Sequence, residues 1–249
     1  MFISLEGCAG SGKTTQATLL YKNLIKKGGR EVILTKFSGE TELGDKIQKL
    51  VESEEIEGAT LDDILLLHLT SILHVNKTVI WPNLKKGNVV ICDRHIDYVL
   101  AFHRIWLNKD SLKIEKMYEL LSRELTPEIP ESSLYPDFTF ILDLDIQEIR
   151  KRNKNDGRYK MNKGRENLYI QSIIREHYLE LAKKKEEFWG ERFICVNASN
   201  KIPKISKKIT SASRYIIDNN VDPVINTSIH RKLFTNNKKG NFELKKLVD

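Results

Sequence analysis

The sequence predicts a three-layer α/β fold, a parallel five-stranded sheet with helices on both faces. Three observations predict it. Short β-rich apolar runs alternate with helical patterns along most of the chain. Strands separated by helical stretches of that length imply right-handed crossovers and therefore a parallel sheet. One run, Asn88–Cys92 (NVVIC), is apolar after its first residue, as in a strand buried on both faces. A glycine-rich segment follows the first strand and opens the first helix, at the edge where such sheets bind ligands.

The elements follow in order. Phe2–Glu6 reads as a strand bounded by Gly7. A helix follows with Ala17, Leu20, Leu24 and Ile25 on one face, ended by Gly28-Gly29. Glu31–Thr35 is the second strand, and Thr60–Trp81 a long helix stopped at Pro82. Asn88–Cys92 is the third strand, followed by helices over Asp97–Leu107 and Leu112–Leu125. Phe138–Leu142 is the fourth strand and Ile146–Arg152 a short helix. Asn153–Arg165 is basic and without apolar periodicity, which predicts a lid loop. Glu166–Trp189 is a long helix, Phe193–Val196 the fifth strand and Pro203–Ile217 the last helix, with Ile205, Ile209, Ala212 and Ile216 at helical spacing. Residues 1–218 therefore read as one domain, and 219–249 as a basic, Asn/Lys-rich extension whose role the sequence leaves open.

Composition narrows the setting. A hydrophobic fraction of 40% and a charged fraction of 30% in 249 residues describe an ordinary globular chain. The net charge of +7 suits an anionic partner, whether nucleotide phosphates or a nucleic acid, and equally suits lysines scattered over every surface. Cys8, Cys92 and Cys195 are odd in number, with no CxxC spacing. That argues against a disulfide frame or a zinc site and fits a reducing compartment. The N-terminus lacks the basic and apolar regions of a signal peptide. The most apolar window, Ile64–Val75, is interrupted by His68, Thr70, Ser71 and His74 and is too short to span a bilayer. The expected setting is cytoplasmic, with no membrane partner.

The glycine-rich segment carries the chemistry. Gly7-Cys8-Ala9-Gly10-Ser11-Gly12-Lys13-Thr14-Thr15 matches the P-loop pattern GxxxxGK[ST], which makes the expected fold a P-loop NTPase fold. Glycines let backbone N–H groups converge on phosphate oxygens. The helix starting near Lys13 points its positive dipole end at the same anion. Lys13 brings a full charge to the β- and γ-phosphates of a triphosphate such as ATP, and the Thr14 hydroxyl is a ligand for Mg²⁺. Asp93 and Arg94 follow the third strand at the same sheet edge. Asp93 suits the magnesium shell or the orientation of an attacking oxygen, and Arg94 the bidentate binding of phosphate. His95 reads as a packing histidine more readily than a catalytic one. Arg152 and Arg158 flank or occupy the basic loop, from which a closing arginine can reach a transferring phosphoryl group.

These residues resemble the thymidylate kinase family of nucleoside monophosphate kinases. The segments that carry the likeness are FISLEGCAGSGKTTQ (Phe2–Gln16), Thr41-Glu42-Leu43-Gly44, VICDRHIDYVLAF (Val90–Phe102), FILDLDIQEIRKR (Phe140–Arg152), IREHYLELA (Ile174–Ala182) and VNASN (Val196–Asn200). The resemblance runs from residue 1 to about 217. It implies γ-phosphate transfer from ATP, with Mg²⁺, to a nucleoside monophosphate, dTMP first among candidates, by a homodimer. It further implies that residues 7–15 and Arg152 bind ATP, that Arg158 is a lid arginine, and that Lys36, Thr41, Leu67, Ser71, Arg94 and Tyr98 serve the acceptor. Two departures stand out. The arginine usual after the second strand is Lys36, a point charge rather than a fork. The aromatic and arginine that read the base in the family align with Leu67 and Ser71, so either the acceptor is not dTMP or residues such as Phe37, His68, His74 or Tyr98 rebuild the pocket.

Three other readings stay open on the sequence. A deoxynucleoside kinase would need Glu6 or Asp93 as a base for a hydroxyl acceptor. A nucleic-acid-associated ATPase would draw on the charge and the basic tail, but the aromatic-plus-basic strand pattern that stacks bases is missing. A degenerate paralogue that binds nucleotide without transferring phosphate would account for the altered 35–41 segment.

Overall fold

The structure is a computed structural model, and it describes residues 1–52, 59–107, 111–155, 168–183, 192–220, 234–236 and 242–244. Five strands alternate with helices: β1 (Phe2–Glu6), β2 (Val32–Lys36), β3 (Val89–Asp93), β4 (Phe138–Asp143) and β5 (Phe193–Asn197). They form one sheet in the order β2-β3-β1-β4-β5. The β2–β3 and β4–β5 pairs are parallel, in keeping with the expected α/β architecture. Backbone proximity divides the chain into two compact units, residues 1–4 with 30–136, and 5–29 with 137–249.

In the first unit, β2 and β3 run in register from Val32 beside Val89 to Lys36 beside Asp93. All five residues of β3 are buried. Its last residue is Asp93, so this carboxylate ends the strand rather than following it. The helices are α2 (Glu42–Glu52), α3 (Leu61–Val75), α4 (Trp81–Lys85), α5 (Ile96–Leu107) and α6 (Ser111–Leu125). Phe2, Val75, Ile80, Val90 and Cys92 form a tight apolar cluster with Ile33, Val79 and Leu84 against it.

Two expectations change here. Helix α2 was not anticipated, although Thr41 accepts the Gly44 N–H at 3.0 Å and so caps its first turn. The helix starting at Thr60 does not stop at Pro82. Thr60 and Asp63 form a reciprocal capping box, and the helical path then runs through α3, a π-helical turn over Asn76–Ile80, and α4. The Trp81 N–H reaches the Asn76 carbonyl in the wide i→i−5 pattern of a π turn. Pro82 thus falls in the first turn of α4, where a missing N–H costs little. The Asn83 side chain donates to the Val79 carbonyl at 2.7 Å beside it. The whole run, Leu61–Lys85, is 25 residues, and an 18-residue window within it has mean hydropathy 1.3, enough by length and composition alone to cross a membrane. Half of that window is buried inside the protein, as in a core helix.

In the second unit, α1 (Lys13–Lys27), α7 (Ile146–Asn155), α8 (Leu168–Lys183) and α9 (Ile202–Asp218) accompany β4 and β5. Ala17, Leu20 and Leu24 of α1 are buried, whereas Ile25 is about half exposed, off the apolar stripe assigned to it. Ile205, Ile209, Ala212 and Ile216 of α9 are all buried as their spacing predicts. Helix α7 continues to Asn155, so residues 153–155 are helical instead of opening the basic loop. The rest of the loop, 156–165, and the end of the helix assigned to 166–189 lie outside the described residues. In the C-terminal extension, β6 (Phe234–Asn236) and β7 (Phe242–Leu244) pair antiparallel.

Candidate active site

The glycine-rich segment folds as a tight loop between β1 and α1. Gly7 holds φ at +141°, and a Cβ there would stand 2.6 Å from the Leu142 carbonyl oxygen and 2.9 Å from Ser11 Oγ. Only glycine fits this close approach of loop to β4. Gly12 caps α1 at φ +95° without a side-chain cap, and no acidic residue stands in the first helical turn. The helix start therefore keeps its positive end for an anion.

The loop is held from several sides. Lys13 is buried, and its ammonium donates to the Cys8 carbonyl at 2.8 Å. The Ser11 N–H donates to the same carbonyl at 3.2 Å. Thr14 and Thr15 are exposed on the first turn of α1. Arg152, half-buried at the end of α7, donates to the Ala198 carbonyl at 2.7 Å and reaches the Gly10 carbonyl at 3.5 Å. Ser11 Oγ is buried with no hydrogen-bond partner. A buried hydroxyl left that way is costly unless a ligand meets it, and a phosphate oxygen is such a ligand.

Helix α8 supports the same loop with residues whose roles sequence reasoning missed. Gln171 accepts the Ala9 N–H at 2.8 Å, and its carbonyl accepts the Cys8 thiol at 3.2 Å. Arg175 grips Asp143 through two hydrogen bonds, of 2.6 and 3.3 Å. The Asp143 carboxylate, opposing loss of the guanidinium proton, pushes the Arg175 pKa up. The Tyr178 hydroxyl donates to the buried Glu6 carboxylate at 2.8 Å. Residues 171, 175 and 178 share one helical stripe. Arg175 and Tyr178 both lie in the IREHYLELA segment that carries part of the family resemblance.

In the first unit, Asp93 is buried at the end of β3, and its register partner Lys36 is exposed at the end of β2. Arg94 takes φ +70°, a left-handed conformation rare outside glycine. Its guanidinium carbon lies 4.1 Å from the centre of the Tyr98 ring, close enough for a cation–π contact. Tyr98 stacks on Phe102 at 5.6 Å between centroids, with Phe37 at 5.5 Å and His68 at 5.7 Å. His68 and His103 share a 2.8 Å hydrogen bond between ring nitrogens. Phe37, His68 and Tyr98 are thus gathered into one aromatic cluster. His95 is fully buried, hydrogen-bonded to Asn76 at 2.9 Å and edge-on to Phe2, as a packing histidine.

Of the remaining acceptor candidates, Thr41 caps α2. Ser71 is buried and donates to the Phe37 carbonyl at 2.9 Å, which ties α3 to the end of β2. Leu67 is half-buried, and its neighbour His68 is the α3 residue in the aromatic cluster. One residue is a 100° turn on a helix, and His68 lies on a buried stripe with Leu65, Leu69 and Ile72. His74 is half-buried on the same helix. Arg158 lies outside the described residues.

Residues 5–209 match the family model described as thymidylate kinase. The chain belongs to the thymidylate kinase family. It is 34% identical over 184 residues to a thymidylate kinase from Wolbachia sp. subsp. Brugia malayi, covering 73% of this chain and 81% of the relative. It is 34% identical over 218 residues to a probable thymidylate kinase from Pyrococcus abyssi, covering 86% and 96%. A crystal structure of thymidylate kinase from Ehrlichia chaffeensis superposes with a TM-score of 0.61 at 26% identity, covering 86% of this chain and 98% of that one. Membership of the thymidylate kinase family makes the chain a nucleoside monophosphate kinase, a phosphotransferase.

For a thymidylate kinase family member the donor set is chemically apt. Glycine backbone, a lysine, an unpartnered serine hydroxyl and a bare helix start suit a polyphosphate. Among the described residues no cluster of three or more His, Cys, Asp or Glu side chains could hold a metal by itself. Thr14 and Asp93 offer hard oxygen donors, the kind Mg²⁺ takes in small number while substrate phosphates and water complete its shell.

Proposed function

We propose that the chain transfers the γ-phosphate of ATP to dTMP, yielding ADP and dTDP. The observation that carries this reading is the loop of residues 7–14, with Lys13 anchored on the Cys8 carbonyl and the buried Ser11 hydroxyl open to a phosphate oxygen. The chain's place in the thymidylate kinase family supports dTMP as acceptor.

In this reading Gly7, Cys8, Ala9, Gly10, Ser11, Gly12, Lys13, Thr14 and Thr15 hold the ATP phosphates, and Arg152 helps to bind the nucleotide. Thr14 and Asp93 hold magnesium. That ion, when bound, neutralises charge on the phosphate oxygens. Lys13 adds a point charge at the β- and γ-oxygens. Arg94 holds the acceptor phosphate, with Lys36 as a second cation. Phe37, His68 and Tyr98 form the apolar wall for the acceptor base, and Thr41, Leu67 and Ser71 support it. Arg158 brings charge to the moving phosphoryl group, a contribution of about 10³–10⁵ in rate where an arginine plays that part. The acceptor phosphate is itself a good nucleophile at neutral pH, so positioning and charge stabilisation account for most of the rate. Residues 1–218 constitute the kinase domain, which acts in the cytoplasm as a homodimer, and 219–249 are an extension to it.

The test is a coupled assay of ADP formation with dTMP, dUMP, other monophosphates and nucleosides as acceptors. ATP consumption dependent on dTMP and magnesium is expected. Turnover with a nucleoside but with no monophosphate would overturn the reading.

A further inference from the structure

We infer that Gln171 is a positioning residue for the phosphate loop, fixing the Cys8–Ala9 peptide and through it the ammonium of Lys13. The inference rests on the donor role proposed for residues 7–14.

One peptide unit joins Cys8 to Ala9, and it is held at both ends. Its carbonyl, that of Cys8, accepts from Lys13 Nζ at 2.8 Å and from the Ser11 N–H at 3.2 Å. Its N–H, that of Ala9, donates to Gln171 Oε1 at 2.8 Å. Carbonyl and N–H point in opposite directions across a trans peptide. Holding the N–H toward α8 therefore holds the carbonyl toward Lys13. Without the Gln171 side-chain acceptor the N–H end of the peptide is released, and the oxygen that the lysine uses is held less firmly, by the Ser11 N–H. Lysine is a flexible point charge with three donors, so a fixed partner for one of them sets where the others begin. The Gln171 carbonyl also takes the Cys8 thiol at 3.2 Å, a second attachment to the same residue of the loop.

Gln171 is well placed to act as a fixed support. It is 4% exposed, and the helix that carries it is secured one turn later by the Arg175–Asp143 pair and again by Tyr178 on Glu6. A support of this kind works by preorganisation: it lowers the cost of ordering the loop when the triphosphate binds.

Gln171→Leu keeps the size and removes the acceptor. Gln171→Glu keeps an acceptor oxygen at the same reach and adds a negative charge beside the loop. One net hydrogen bond corresponds to roughly two- to tenfold in affinity. Isothermal titration with ATP and magnesium is expected to show a loss of that size for Gln171→Leu, unaffected by salt. The same factor should appear in KM for ATP, with KM for the acceptor unchanged. Gln171→Glu should lose affinity by a charge effect that shrinks as ionic strength rises. Melting temperatures of both variants should stay near that of the wild type. Wild-type-like ATP affinity in Gln171→Leu overturns the inference. So does a deficit that equals that of Gln171→Glu at every salt concentration, or one that appears only with a matching fall in melting temperature. If the wild type itself fails to bind ATP, the donor reading of the loop falls first, which separates the two failures.

Discussion

Arg94 holds φ at +70° with its guanidinium over the Tyr98 ring. Left-handed backbone at a non-glycine residue costs on the order of 1–2 kcal/mol and persists where surroundings enforce it. Here the Arg94 carbonyl accepts the Cys92 thiol at 2.9 Å, and Tyr98 is locked by Phe37, His68 and Phe102. Tyr98 therefore aims the arginine. A cation–π contact contributes about 0.5–2 kcal/mol, so Tyr98→Leu should lower kcat/KM for the acceptor by roughly two- to thirtyfold. Tyr98→Phe, which keeps the ring, should stay close to wild type in the same steady-state assay. Equal behaviour of the two variants would remove the aiming role. At Cys195, burial is the main cause that pushes the thiol up to about 12, with Asp143 adding to it. The folded thiol stays protonated while an unfolded one ionises near its ordinary value of 9.0. Between those values the unfolded chain binds fewer protons, so this group's contribution to stability is complete below pH 9 and is lost as pH rises toward 12. Denaturation midpoints across that window should fall less steeply in Cys195→Ala. Iodoacetamide at pH 8 should leave Cys195 unmodified in the native protein by mass spectrometry. Lys13 and the loop glycines were legible in the sequence because their geometry is set within eight residues. Gln171 was not, because its bond to Ala9 spans 162 residues and leaves no local pattern.

Among the elements, the π turn at Asn76–Ile80 has a clear consequence. It lets the helical path pass Pro82 and sets Asn76 inside the core, 1% exposed. There Asn76 accepts from His95 Nε2 at 2.9 Å and donates to the Tyr118 hydroxyl at 2.8 Å, which in turn donates to the Leu134 carbonyl at 2.7 Å. The run ties α3, α6 and the start of α5 by one polar chain in an apolar surround. Buried polar groups deprived of a partner cost about 1–3 kcal/mol each. Asn76→Ala should accordingly lower stability by about that amount or more in urea denaturation, whereas the exposed Lys77→Ala should change it little. The proline was a sound stop signal by itself, and only the i→i−5 bond of Trp81, invisible in composition, explains why the helix goes on. Helix α2 was missed for another reason. Its apolar residues Leu43, Ile47, Leu50 and Val51 stand among charges, and its Glu42–Lys46 and Asp45–Lys49 pairs add only about 0.2–0.5 kcal/mol each.

At the scale of the whole molecule, the sheet order β2-β3-β1-β4-β5 explains where the chemistry-bearing residues fall along the chain. Glu6, Lys36, Asp93, Asp143 and Asn197 are each the last residue of a strand. The parallel pair β2–β3 brings Lys36 beside Asp93, and the parallel pair β4–β5 brings Asp143 beside Asn197, at the strand ends where such folds bind ligands. This much was readable from alternating strand and helix patterns, because both faces of the sheet are covered and the strands must be apolar. The packing of α3 was harder to read, since which of its residues meets Phe37 and Tyr98, here His68, turns on a rotation that periodicity alone does not fix. The central claim is that residues 7–14 hold a nucleoside triphosphate through loop amides and the Lys13 charge. Calorimetric titration of the purified protein with ATP, with and without magnesium, beside Lys13→Ala, tests it most directly. Magnesium-dependent binding is expected in the wild type, with at least a tenfold loss in a Lys13→Ala protein that melts normally, on the order of one charge-assisted hydrogen bond. Affinity for ATP unchanged by the substitution, or none in the wild type for any triphosphate, would contradict it.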